Sequence, residues 1–91
     1  GGPSGRLKTV MRVTVRLFAR LRDIAGAGEF ERPVHDGATV RHVWETLVGE
    51  FEELRAYDVS ISTAVNAEYS QMDAPVADGD EVAFLPPVSG G

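Results

Sequence analysis

The sequence predicts an α+β domain: a mixed sheet packed on one long helix, with a second, short helix beside it. Three observations predict it. Residues 40–54 carry large apolar side chains at helical spacing on one face. Short segments before and after them alternate apolar and polar with the period of two that a half-buried strand requires. Glycine, aspartate and proline punctuate the chain between these segments.

The elements follow in order. Gly1 to Gly5 reads as part of a flexible leader or cloning remnant over 1–10, with the domain over 11–85 and a tail over 86–91. Met11, Val13, Val15 and Leu17 point one way and Arg12, Thr14 and Arg16 the other, which makes residues 11–18 a strand. Phe18 falls on the Arg/Thr face, so it either turns into the core or is offered to a partner. A short helix is expected over 19–25, ended by Gly26 and Gly28, and a second strand over 29–34. Thr39 is a suitable N-cap for the long helix, whose buried face is Val40, Val43, Trp44, Leu47, Val48, Phe51 and Leu54. Residues 61–67 read as a third strand, with Asn66-Ala67-Glu68 turning into a short edge segment through Tyr69. Asp78-Gly79-Asp80 turns the chain into a last strand over 81–85. There Val82 and Phe84 meet the helix, which leaves Leu85 on the open face; if Phe18 is on that face too, the two would form a docking patch. Strand, short helix, strand, long helix, strand, strand is the order of an α+β roll of ubiquitin type. Its first and last strands can lie side by side in parallel, joined by the long crossover such pairs need.

Composition sets limits on function. The chain has 91 residues, 43% of them hydrophobic, enough for one small core. No apolar run is long enough to span a bilayer, and no basic-then-apolar leader marks secretion, so a cytoplasmic location is expected. Cysteine is absent, which removes disulfides, thiolate metal sites and a cysteine nucleophile. The net charge of −5 argues against nucleic acid and anionic membranes as partners. His35 and His42 lack metal-ligand spacing and read as surface residues. The carboxylates of residues 78–81 lack the oxygen series of a calcium loop. Gly26-Ala27-Gly28 is too short for a phosphate loop, and no serine has a base at a recognisable spacing. No metal site and no self-contained active site is expected.

The tail is the remaining candidate. Leu85-Pro86-Pro87-Val88-Ser89-Gly90-Gly91 leaves the last strand through two stiff prolines and ends on glycines, which let another backbone approach closely. Extended, Pro86 to Gly91 reach roughly 20 Å, enough to enter a partner's active site. The Gly91 carboxylate is a poor acyl donor until ATP converts it to an adenylate, which sulfur or an amine can attack. An external enzyme must supply that ATP chemistry.

The stretch Asp78 to Gly91 resembles the C-terminal signature of the molybdopterin synthase small-subunit family, which belongs to the β-grasp, ubiquitin-like sulfur carriers. Val15 to Gly26 is similar to that family's first strand and short helix, and Thr39-Val40 and Ala64-Val65-Asn66 match as well. The resemblance covers roughly residues 11–91. It implies that Gly91, preceded by Gly90, is adenylated by an E1-like activating enzyme using ATP and converted to a thiocarboxylate. The tail would then enter the large subunit of molybdopterin synthase and give sulfur to cyclic pyranopterin monophosphate, twice per dithiolene. No cofactor would be bound by this chain itself, and a two-plus-two heterotetramer is implied. By position, the partner contacts fall on Phe18, Tyr69, Leu85, Pro86, Pro87, Val88 and Ser89; Tyr69 rests on the match alone. Leu85 stands where the family usually has phenylalanine, which keeps the contact apolar. A carrier for cysteine or thiamine synthesis, a ubiquitin-like protein modifier, and an interaction module with an inert tail are the alternatives.

Overall fold

The computed structural model describes residues 10–87. Five strands form one mixed sheet in the order β2-β1-β5-β3-β4. They are β1 (Val10–Leu17), β2 (Glu29–His35), β3 (Ser62–Val65), β4 (Glu68–Ser70) and β5 (Glu81–Leu85). Helix α1 (Ala19–Ala25) lies between β1 and β2, and α2 (Val40–Glu50) between β2 and β3. The ubiquitin-type roll expected from the element order is the fold observed, a β-grasp.

The centre of the sheet is the parallel pair. Thr14 to Leu17 run alongside Glu81 to Phe84 in register, while β2 and β3 flank this pair antiparallel. Val13, Val15, Leu17, Val82 and Phe84 therefore share the face that meets α2, and each is almost wholly buried. Val43, Trp44 and Leu47 come down onto them from α2, with the Trp44 and Phe84 rings 5.0 Å apart and tilted by 44°. Leu21, the buried residue of α1, closes one end of this core. The edge strand β2 contains Pro33, which has no N–H to give a ladder; only an edge strand tolerates that at its solvent side.

Several boundaries differ from the sequence expectation. The first strand begins at Val10 rather than Met11, and the second runs through His35. The long helix stops at Glu50, four residues before Leu54, because Phe51 adopts φ −126° and ψ 86°. Gly49 weakens the last turn, and Glu50, Glu52 and Glu53 oppose the negative end of the helix dipole. The chain continues as a 3₁₀ turn over Glu52–Tyr57, which still buries Leu54, and the Trp44 indole N–H donates to Asp58 Oδ1 at 2.7 Å beyond it. Finally, the third strand covers only Ser62–Val65, and Asn66 and Ala67 make the expected turn into the edge strand β4.

That turn and the one before β5 are built together. Asn66 and Ala67 have φ of 52° and 72°, the left-handed pair of a two-residue type I′ hairpin loop. Asn66 Oδ1 accepts from the Glu81 N–H, its amide donates to Asp80 Oδ1, and its backbone N–H donates to the Glu81 carbonyl. Asp78 Oδ1 in turn accepts from the Arg12 N–H at 2.8 Å, and Asp80 Oδ2 from the Ala77 N–H. The acidic turn thus fixes where β5 starts against β1.

Two substitutions test this hinge by urea denaturation. Ala67→Gly removes a left-handed alanine and is expected to raise stability by about 0.5 kcal/mol. Asn66→Ala loses the side-chain bonds and the favourable left-handed residue, and is expected to lower it by about 1–2 kcal/mol.

Candidate functional site

Among the described residues, no helix covers the second face of the sheet. By register it carries Glu29, Glu31 and Pro33 from β2, Arg12, Thr14 and Arg16 from β1, Glu81, Ala83 and Leu85 from β5, Ser62 and Ala64 from β3, and Tyr69 from β4. Chemistry divides this face in two. The β2–β1 half is charged: Arg16 sits between carboxylates of both neighbouring strands, 3.2 Å from Glu81 and 3.8 Å from Glu29, and Arg12 lies 3.8 Å from Glu31. Exposed pairs of this kind add little stability, about 0–1 kcal/mol each. Apart from Glu81 at the border and Ser62, the β5–β3–β4 half is apolar, with Ala83 opposite Ala64 and Ala64 opposite Tyr69.

The apolar half is where the sequence-predicted contact residues meet. Tyr69 is 82% exposed, far more than an aromatic ring in a core. Leu85 is half-buried on the same face, opposite Ser62. Phe18 is 36% exposed. It follows Leu17, whose register partner is Phe84, so Phe18 and Leu85 occupy adjoining positions at one end of the parallel pair. The chain leaves β1 there so abruptly that Ala19 takes φ +51°, a conformation costing a non-glycine residue on the order of 1 kcal/mol. The Arg16 guanidinium lies 5.4 Å from the centre of the Phe18 ring and links the two halves. Pro86 is half-buried and Pro87 exposed, continuing from Leu85 at this end. Val88, Ser89, Gly90 and Gly91, the other predicted tail residues, lie outside the described residues.

Elsewhere the surface is plainer. A depression of about 250 Å³ behind α2 is lined by Glu45, Val48, Gly49, Arg55 and Asp58, on the side away from the open face. Among the described residues, no group of three or more histidine, cysteine, aspartate or glutamate side chains is arranged to hold a metal ion, and no helix is long and apolar enough to cross a membrane. What sequence reasoning missed is the strained Ala19 beside Phe18. Alanine carries no signal for a left-handed position, so nothing in the residue order pointed to it.

Known proteins resemble this chain along nearly its whole length. The ThiS family model matches residues 15–91. The molybdopterin synthase sulfur carrier subunit of Arabidopsis thaliana is 33% identical over 81 residues, covering 89% of this chain and 84% of that protein. The crystal structure of small archaeal modifier protein 1 from Haloferax volcanii superposes with a TM-score of 0.77 at 34% identity, covering 88% of this chain and 99% of the other. A chain in the complex of subunits 1 and 2 of the molybdopterin-converting factor of Helicobacter pylori superposes with a TM-score of 0.62 at 26% identity, covering 89% and 100%.

Tyr69 makes little contact with the fold, so its removal separates folding from docking. Tyr69→Ser is expected to leave the urea midpoint equivalent to within about 0.5 kcal/mol of the unsubstituted chain. A loss several times larger would mean that the ring supports the sheet.

Proposed function

The chain belongs to the ThiS family, and we propose that it is the sulfur-carrier subunit of a molybdopterin synthase. The observation that carries this reading is the junction of tail and patch. Leu85, the last residue of β5, lies at the same end of the sheet as Phe18 and on the same face as Tyr69. A partner that covers the apolar half of the open face receives the tail at the edge of that contact. Docking and delivery are then one event.

The chemistry assigned to the tail follows from its terminal group. One oxygen of the Gly91 carboxylate attacks the α-phosphorus of ATP on an E1-like enzyme, and pyrophosphate leaves. A sulfur nucleophile attacks the acyl carbon, AMP departs, and once the sulfur is freed from its donor a thiocarboxylate remains. In the large subunit that sulfur bonds to a carbon of cyclic pyranopterin monophosphate as an oxygen substituent leaves it. Water then cleaves the acyl–sulfur bond, leaving the sulfur on the pterin and restoring the Gly91 carboxylate. Two charged carriers deliver the two sulfurs of the dithiolene, in keeping with a two-plus-two assembly. The folded domain contributes docking and orientation. Phe18, Tyr69 and Leu85 bury apolar area, and Pro86 and Pro87 hold the exit extended, which reduces the entropy lost on insertion. ATP belongs to the activating enzyme, and the cytoplasm is the proposed site of action.

A second reading has its own support, since a modifier protein from Haloferax volcanii matches as well as the carrier subunits do. In that reading the adenylate or a thioester derived from it passes to a lysine amine of another protein, and the product is an amide conjugate.

The deciding experiment mixes the Gly91 thiocarboxylate form with a molybdopterin synthase large subunit and cyclic pyranopterin monophosphate. Dithiolene product, read as fluorescence after oxidation, together with a 16 Da loss from the carrier is the expected result. An intact thiocarboxylate with no product would exclude this acceptor; higher-mass amide conjugates in lysate would favour the modifier. In the same assay, the double substitution Phe18→Ser and Leu85→Ser is expected to weaken large-subunit binding roughly 100-fold, as loss of central apolar anchors does. Deleting Gly91 is expected to abolish transfer while leaving the urea midpoint unchanged.

A further inference from the structure

At the pole of the sheet remote from Leu85, two histidines meet. His35 ends β2, where it pairs with Val10 at the start of β1, and His42 lies in the first turn of α2. Only a strand end and a tight turn separate them in the chain. Gly37, at φ +89°, bends that turn, and the Thr39 N-cap sets α2 so that the two rings face one another. Their Nε2 atoms are 3.0 Å apart, and both side chains are exposed to solvent.

The hydrogen bonding fixes which nitrogen of His35 is free. His35 Nδ1 lies 3.1 Å from the Asp36 carbonyl oxygen. A carbonyl only accepts, so Nδ1 carries the proton and neutral His35 presents a bare Nε2 lone pair. An imidazole held through Nδ1–H to a backbone carbonyl, with Nε2 directed outward, is the arrangement that orients histidine ligands on metal ions. In the metal-free pair, the His42 Nε2–H donates to that lone pair. Moving the His42 proton from Nε2 to Nδ1 yields two converging acceptors, with no change in net charge.

The separations suit a metal as well as a proton. With metal–nitrogen bonds of about 2.0–2.1 Å, two imidazole nitrogens at a right angle lie about 2.9 Å apart, and at a tetrahedral angle about 3.3 Å. The observed 3.0 Å lies close to the first value. On the same right-angled ion the ring centres would be about 4.5 Å apart, and here they are 4.4 Å apart. A head-on hydrogen bond between the rings would hold the centres about 5.3 Å apart. Both distances match those of two imidazoles at a right angle on one ion.

From this geometry we infer that His35 and His42 form a bidentate surface site for a divalent ion of tetragonal preference, Cu(II) before Ni(II). Imidazole nitrogen and adjacent positions near 90° favour those ions, and copper heads the affinity order. Two protein ligands leave the remaining positions to water, so the site is open and exchangeable. It joins the end of β2 to the start of α2 and lies at the opposite end of β1 from Phe18 and the tail root. Occupancy leaves the docking face clear.

The test is a titration of the full chain with Cu(II) alone, followed by electron paramagnetic resonance and thermal melting. The unsubstituted chain is expected to show a spectrum with two equatorial imidazole nitrogens at one ion per chain, and a melting temperature that rises with copper. His35→Ala and His42→Ala are each expected to bind at least tenfold more weakly and to lose the two-nitrogen signature. The double variant reports what the N-terminal amine and backbone take up. Both side chains are exposed, so the metal-free melts should coincide. Equal copper affinity in the unsubstituted chain and the double variant, or an unchanged spectrum in either single variant, would overturn the site.

Discussion

The parallel ladder between β1 and β5 is the contact on which everything else rests. It joins segments from opposite ends of the chain, so nothing local can form it. A parallel pair also needs a long crossover, and here the crossover is the whole of α1, β2, α2, β3 and β4. Phe84 and Val82 reach the core only because β5 lies between β1 and β3, and Trp44 has a floor to pack on for the same reason. Register is set at the ladder's entry by the acidic turn. Asp78 and Asp80 catch backbone N–H groups of Arg12 and Ala77, and the Thr14 N–H donates to the Asp80 carbonyl. A slip of one residue would send Phe84 to solvent and Leu85 to the core.

The same ladder explains why the residues proposed to dock are where they are. Phe18 and Leu85 are far apart in the chain but leave neighbouring strands at one end. Across this face, charge is concentrated on β1 and β2, with Glu81 of β5 at the border, and apolar surface on the rest of β5, β3 and β4. A partner approaching the apolar half meets Arg16 and its carboxylates at the border, where a misplaced charge would be penalised. Complementary rims of this kind govern orientation and encounter more than affinity.

Much of this was legible in the residue order, and the gaps have physical causes. Phe18 and Leu85 stood out because each broke an alternating pattern that the rest of its strand obeyed. Tyr69 gave no such signal: β4 is three residues long, too short for a period to show, and only the family resemblance singled it out. The end of α2 was hidden because Leu54 keeps helical spacing and is buried all the same, through a 3₁₀ turn with a different rise. The left-handed conformations of Ala19 and Ala67 were invisible, since alanine favours the opposite region. The meeting of His35 and His42 depends on how a turn aims a helix against a strand end, and spacing alone does not encode that.

The parallel ladder also gives the domain a polarity that matters to anyone handling it. The described chain enters at Val10, beside His35, and departs through Leu85, Pro86 and Pro87 at the other pole, with roughly 23 Å of strand between Val10 and Leu17. A dye, affinity tag or solid support joined at Val10 itself therefore sits at the pole opposite Leu85. Immobilised that way, the domain has its histidine pole toward the support and the Leu85 end of its parallel pair toward the solution.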